Sequence, residues 1–303
     1  MPGSSATEHR PPLLSGVLLA LGGAMAFSGK AIIVKLAYRY GVDAVTVIMY
    51  RMLFALPFFL AMSWWASRGQ PPLARGDWLG VLGLGITGYY LASFLDFLGL
   101  QYITASLERL IVYLTPTLVL ALGWLLYRKP FSRPQLVGMA VGYAGALLVF
   151  GQEVSLEGSN VALGALLVFL SAVSYAVYLV YSGQLVKRLG SLRLVGLATS
   201  VACLLCIVQF VLLRPVPVAL EVAPEVIWLS LLNAAACTAV PVLLVMMAIE
   251  RVGAAVTSQL GMVGPVSTIL LGVWLLGEPF TLWVAAGTVL VIAGIFVFTR
   301  AAR

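Results

Sequence analysis

The 303-residue chain is 62% hydrophobic and 10% charged, with 18 basic residues, 11 acidic residues and one histidine. Soluble domains are about 45–50% apolar and about 25% charged, so this composition excludes a soluble enzyme or nucleic-acid-binding module and describes a polytopic membrane protein. At about 20 residues per span with short loops, the chain holds about ten helices and no sizeable soluble domain. Long alternating apolar and polar runs, which a membrane barrel needs, are absent.

Residues 1–12 read as a short cytoplasmic leader, and spans are expected near 13–36, 44–66, 77–99, 104–127, 134–150, 161–183, 193–213, 226–249, 252–276 and 281–299. A signal peptide is a competing reading of the first span, with Ala24-Met25-Ala26 as its cleavage site. The apolar run continues past that site, and cleavage would break the repeat described below. The same span contains GGAMAFSGKAIIVK, Gly22 to Lys35, which approaches a phosphate-binding loop. Five residues separate Gly23 from Gly29-Lys30 and Ala31 follows, where a P-loop needs four residues and then Ser or Thr. Lys30 is therefore a cation within a span, at a cost of about 2.5–3.5 kcal/mol on insertion scales. Two readings stay open. Lys30 either sits wetted in a central cavity and attracts a substrate carboxylate, or pairs with Asp96 of the third span.

The second span carries Arg51 near its start, and the third places Tyr89, Ser93 and Asp96 on one helical face. The fourth begins with Glu108-Arg109 and continues through Tyr113 to Pro116. Arg51, Asp96, Glu108 and Arg109 share an outer depth, where they are expected to snorkel or pair at the interface. With no acidic residue convincingly at mid-membrane, a carboxylate proton relay has little support and facilitated diffusion stays open. The sixth span presents a hydroxyl stripe of Ser171, Ser174, Tyr175, Tyr178, Tyr181 and Ser182 that faces either a cavity or a packed neighbour. Superposing Gly16 on Gly164 puts Tyr175 over Phe27 and Tyr178 over Lys30. In the eighth and ninth spans the polar groups are Asn233, Thr257, Ser258 and Gln259. Pro116, Pro241 and Pro265 each leave a backbone carbonyl unbonded and mark helices four, eight and nine as gates.

Candidate substrate-binding residues are thus Phe27, Lys30, Tyr89, Ser93, Tyr113, Ser171, Ser174, Tyr175, Tyr178, Asn233 and Gln259. Cys203, Cys206 and Cys237 lie in membrane helices without a nearby histidine, so no metal or cofactor site is expected. Trp residues near span ends, at 64, 65, 78, 228, 274 and 283, read as interfacial anchors.

The two halves repeat. At a constant offset of 149, Ala105 falls on Ala254, Pro116 on Pro265, Gly123 on Gly272, Pro130-Phe131 on Pro279-Phe280, Gly138 on Gly287 and Ala144-Gly145 on Ala293-Gly294. Ungapped agreement at Gly and Pro identifies a duplicated five-helix unit, 13–150 and 161–300 joined by a 151–160 linker. An odd number of spans inverts the second copy. The expected fold is all-α, with two inverted repeats around a central cavity.

TVIMYRMLFALPFFL, GLQYITASLERLIVYLTPTLVLALGWLLYRKPFS and LLGEPFTLWVAAGTVLVIAGIFVF resemble the EamA-type members of the drug/metabolite transporter superfamily. The resemblance extends to YddG-like amino-acid exporters and covers nearly the whole chain. It implies alternating access and export of amino acids, aromatic or broad in range, or of other small metabolites and drugs. Glu108-Arg109 departs from the small residues usual there. With the N-terminus inside, 12 of the 18 basic residues fall on inner segments, so both termini are expected in the cytoplasm of a bacterial inner membrane. The positive charge then serves topology and lipid contact, and nucleic acid is not an expected partner. An integral-membrane enzyme lacks parts, because His9 lies in the leader and no HExxH or G-x-S-x-G motif occurs. A channel would need a ring of like groups or a filter.

Overall fold

The computed structural model describes residues 13–127, 132–157, 160–260 and 263–300. These are nearly all helical and contain no strand. We label the helices in chain order: α1 (Leu13–Tyr38), α2 (Ala44–Ser67), α3 (Arg75–Leu84, a π-helical turn at Gly85–Leu91, then Ala92–Gly99) and α4 (Ala105–Val112, then Thr115–Tyr127). There follow α5 (Arg133–Glu157), α6 (Asn160–Leu189), α7 (Ser191–Leu213), α8 (Pro224–Ala234, a π-helical turn at Ala235–Ala239, then Val240–Leu260), α9 (Val263–Leu271 and a π-helical turn at Gly272–Leu276) and α10 (Leu282–Arg300). Among the described residues eight helical stretches are long and apolar enough to cross a membrane, and shorter apolar helices occupy Ser267–Leu276 and Leu282–Gly294. The expected Trp anchors are all exposed on the bundle surface.

Helix pairing follows a two-fold pattern. α2 lies along α7, α5 along α10, α1 along α8 and α3 along α6. Exchanging the halves maps the first two pairs onto themselves and the last two onto each other, as inverted repeats require. The α5–α10 seam shows this at atomic scale. A Cβ on Gly145 would lie 2.6 Å from the Gly287 carbonyl oxygen, and one on Gly294 would lie 2.6 Å from that of Gly138. These two contacts are the same contact under the 149-residue offset. Glycine here lets the two backbones touch.

Each half also carries a π-helical turn at the equivalent place in its third helix, Gly85–Leu91 and Ala235–Ala239. Such turns free or re-aim backbone groups, and their neighbours use them. Ser171 and Ser174 of α6 donate to the carbonyls of Ala92 and Thr87, both at 2.7 Å.

Two expectations about helix boundaries change. Residues 104–127 divide at Tyr113-Leu114, because Pro116 has no N–H for the Val112 carbonyl. The Thr115 hydroxyl takes that carbonyl instead, at 2.5 Å, and Thr117 Oγ1 bonds the Leu114 carbonyl at 2.6 Å. In the second half, the break expected near residues 250–251 does not form, and α8 runs on to Leu260. No proline follows Pro241 until Pro265, so nothing in the backbone stops the helix.

The end of the bundle away from residue 13 is tied by Asp43 and Arg214. Asp43 caps α2 by accepting from Thr46 N at 3.0 Å, and receives Arg214 Nη2 at 2.5 Å and Nε at 2.7 Å. At the opposite end Arg188 pairs with Asp77 at 2.6 Å, while Arg193 reaches Ser67 Oγ and the Pro71 carbonyl.

Candidate functional site: a buried charge cluster between α1, α3 and α4

Lys30 does not stand alone. Its Nζ lies 2.5 Å from Asp96 Oδ2 and 3.4 Å from Glu108 Oε1. Arg109 Nε lies 3.8 Å from Glu108 Oε2, and Arg109 Nη2 donates to the Phe27 carbonyl at 3.1 Å. Four charges of alternating sign thus join α1, α3 and α4. Of the two expectations for Asp96, Glu108 and Arg109, snorkelling and pairing, it is pairing that is observed, and in a buried setting, since they are 2%, 0% and 7% exposed. The reason is mutual neutralisation: each buried charge has an opposite one beside it, and an unpaired charge at this depth costs several kcal/mol. Of the two readings for Lys30, the pair with Asp96 is the one observed. Lys30 keeps a 17% exposed side chain, more than its two anionic partners.

Local sequence fixes each member. Phe27 and Lys30, three apart, share a face of α1. Glu108 sits in the first turn of α4, where the helix dipole favours a carboxylate. The start of that helix is held from both repeats. Thr104 Oγ1 accepts from Leu107 N at 3.0 Å. Glu278 accepts from Ala105 N at 2.7 Å, from Ser106 N at 3.3 Å and from Ser106 Oγ at 2.7 Å. Gly277, at φ 72°, ends α9 in the left-handed region and lets the chain turn Glu278 back. Arg39 Nη2 bonds the Leu276 carbonyl at 2.6 Å in the same corner. In the sequence, the segment LLGEPFTLWVAAGTVLVIAGIFVF carries a family resemblance, and this capping is not read from it. The signal was an acid between a helix-ending glycine and a proline.

Arg51 also departs from the snorkelling expectation. It is 3% exposed, its Nε donates to Thr238 Oγ1 at 2.8 Å, and its guanidinium carbon lies 5.0 Å from the Phe97 ring centroid. Ser93 Oγ stands at 3.5 Å from its Nη1. Thr238, in the π-helical turn of α8, donates in turn to the Asn233 carbonyl at 2.9 Å. The Asn233 side chain is fully buried, and its amide has no hydrogen-bond partner among the described residues.

Beside the charges lies an aromatic group. Tyr178 meets Tyr89 edge-on at 5.4 Å and stacks on Tyr175 at 5.5 Å. The α6 stripe divides. Ser171 and Ser174 bond α3, Tyr178 is 0% exposed, and Tyr181 is on the outer surface. Helix packing, rather than an open cavity, therefore occupies the two serines. Tyr113 sits against Gly264, where a Cβ would lie 2.6 Å from its hydroxyl. The side chains of Gln259, Thr257, Ser258, Pro116 and Pro265 lie outside the described ones. The Pro241 ring follows the π-helical turn of α8. A surface recess lined by Leu147, Leu148, Gly151, Gln152 and Trp283 lies between α5 and α10 and shares no residue with the cluster.

Duplicated helices around a buried polar cluster define a multi-pass membrane transporter. The chain matches the EamA-like transporter family twice, over residues 14–151 and 162–300, and belongs to that family. It is 30% identical over 272 residues to the uncharacterized transporter YcbK of Bacillus subtilis, covering 87% of this chain and 86% of that one. With the uncharacterized transporter YetK of the same organism it shares 26% over 289 residues, 93% of this chain and 86% of the other. A solved crystal structure superposes with a TM-score of 0.67 at 19% identity, covering 96% of this chain and 98% of that one, which speaks to the fold alone.

Proposed function

We propose that the protein is a secondary carrier exporting amino acids and related small metabolites across a bacterial inner membrane, with both termini in the cytoplasm. The observation that carries the reading is the neutral cluster of two cations and two carboxylates at the junction of α1, α3 and α4. A zwitterion offers the same pair of charges. Its carboxylate is drawn by Lys30 and Arg109, and its ammonium by Asp96 Oδ1, which accepts no hydrogen bond among the described residues. Phe27, Tyr89, Tyr113, Tyr175 and Tyr178 supply apolar and aromatic surface for side chains of several kinds. The prolines at 116, 241 and 265 act as gates between outward- and inward-facing states of a ten-span bundle.

Counterflow of labelled amino acids in liposomes containing the pure protein tests this. Saturable exchange of unaltered substrate is the expected result, while a chemically altered product or the absence of exchange rejects it. A reporter fused after Arg303 tests the orientation. Cytoplasmic activity is expected, and periplasmic activity rejects the assignment.

A further inference from the structure

We propose that the site selects amino acids carrying a second acid group, with Arg51 receiving that group while Lys30 and Arg109 draw the main-chain carboxylate. The inference rests on the carrier reading and narrows its substrate class.

Arg51 adds a cation beside the charge cluster, one step along α3. Its Nη1 stands 3.5 Å from Ser93 Oγ, and Lys30 Nζ stands 2.5 Å from Asp96 Oδ2. Ser93 and Asp96 share a face of α3, three residues and about 4.5 Å of helical rise apart. A short acidic side chain bridges such a step, so one molecule can present an acid group to each cationic centre.

Charge favours that occupant. Lys30 and Arg109 are matched by Asp96 and Glu108, and Arg51 then leaves the group with one positive charge in excess. No carboxylate of the described residues lies within ion-pair distance of Arg51. A guanidinium stays charged in proteins, so its burial is compensated only by what surrounds it. Its partners are neutral: Thr238 Oγ1 at 2.8 Å, Ser93, and the Phe97 ring. Of its five N–H groups, those on Nη2 have no hydrogen-bond partner among the described residues. A carboxylate takes paired guanidinium N–H groups better than a neutral oxygen does. Arg193 also lacks an acid, but it lies at the end of the bundle, where Ser67 and the Pro71 carbonyl accept from it.

A second observation comes from α8. Thr238, which accepts from Arg51, donates to the Asn233 carbonyl one π-helical turn back, at 2.9 Å. The Asn233 side chain is fully buried, and neither atom of its amide is hydrogen-bonded among the described residues. A buried amide without partners is costly, and its NH2 is a donor of the kind an acid group takes.

The test is counterflow at neutral pH in liposomes holding the full-length protein, comparing labelled glutamate with glutamine, which has nearly the same shape without the second charge. Wild type should half-saturate at a glutamate concentration at least about tenfold below that for glutamine, the order set by one charge-assisted hydrogen bond. Arg51→Gln should bring the ratio of the two near one, and Arg51→Lys, which keeps the charge without the fork, should retain part of the preference. Wild type that exchanges glutamine as well as glutamate, or better, overturns the inference and leaves the carrier reading standing. An unchanged ratio in Arg51→Gln also overturns it, because an arginine that only holds helices together weakens both substrates alike. Absence of exchange with any amino acid overturns the carrier reading and this inference with it. The wild-type comparison decides even if neither variant folds.

Discussion

Lys30 of α1 and Asp96 of α3 meet at 2.5 Å across 66 residues of sequence, and the same ammonium faces Glu108 of α4. One lysine therefore compensates two buried carboxylates. Replacing it with methionine leaves both without their shared cation, and Lys30→Met should lower stability by about 3–5 kcal/mol. Adding Asp96→Asn should recover part of the loss. Melting of the single and double variants in detergent checks this, and a wild-type melting point for Lys30→Met alone contradicts the pair.

Glu278 reaches from the end of α9 to the first N–H groups of α4, in the other repeat. Glu278→Ala removes a cap of the kind that contributes about 0.5–2 kcal/mol. It also loosens the turn that carries Glu108, so transport should fall along with stability. Glu278→Gln keeps an acceptor and should lie between the two. An alanine variant with unchanged melting and flux removes Glu278 from this role.

At the α5–α10 seam, a side chain on Gly294 meets the Gly138 carbonyl at 2.6 Å, and backbone cannot yield as a flexible side chain does. Gly294→Val should cost about 1–3 kcal/mol through overpacking. Gly151 of α5 has open space where a Cβ would go, so Gly151→Ala should be nearly neutral. Equal melting points for the two variants contradict the seam.

Asp43 lies in the loop before α2. Burial pushes its carboxyl up, but hydrogen bonds from Thr46 and Arg214 and the charge of Arg214 outweigh this and hold it below the usual carboxylate range. A depressed folded value means the stabilisation is complete above the unfolded value of about 3.9 and is lost as pH falls through the lower folded one. Both partners are partly exposed, so the pair is worth at most about 1 kcal/mol. Asp43→Asn should flatten the acid limb of the stability profile below about pH 4. An acid limb identical to wild type removes the pair from that role.

Much of the architecture was legible in the residues. Apolar runs of span length gave the membrane class, and a 149-residue offset matching Gly and Pro gave the duplication, because those residues record backbone requirements that leucine does not. The fourth-helix division was half legible: Pro116 announced a free carbonyl, but not that Thr115 would bond it. The hydroxyl stripe on α6 is legible as a face without its neighbour, and α3 supplies that neighbour to Ser171 and Ser174.

By itself, then, the sequence determined which segments prefer lipid, how the halves correspond, and that a cation at Lys30 needs compensation. Those are local or periodic properties, written in composition and spacing. Tertiary structure alone decided what compensates Lys30, that Arg51 is buried against Thr238, and that Glu278 caps a helix of the opposite repeat. Each of these joins residues far apart in the chain. Several acids stood at similar depth, and only the packing of α1, α3 and α4 sets the few ångströms that separate an ion pair from a distant charge.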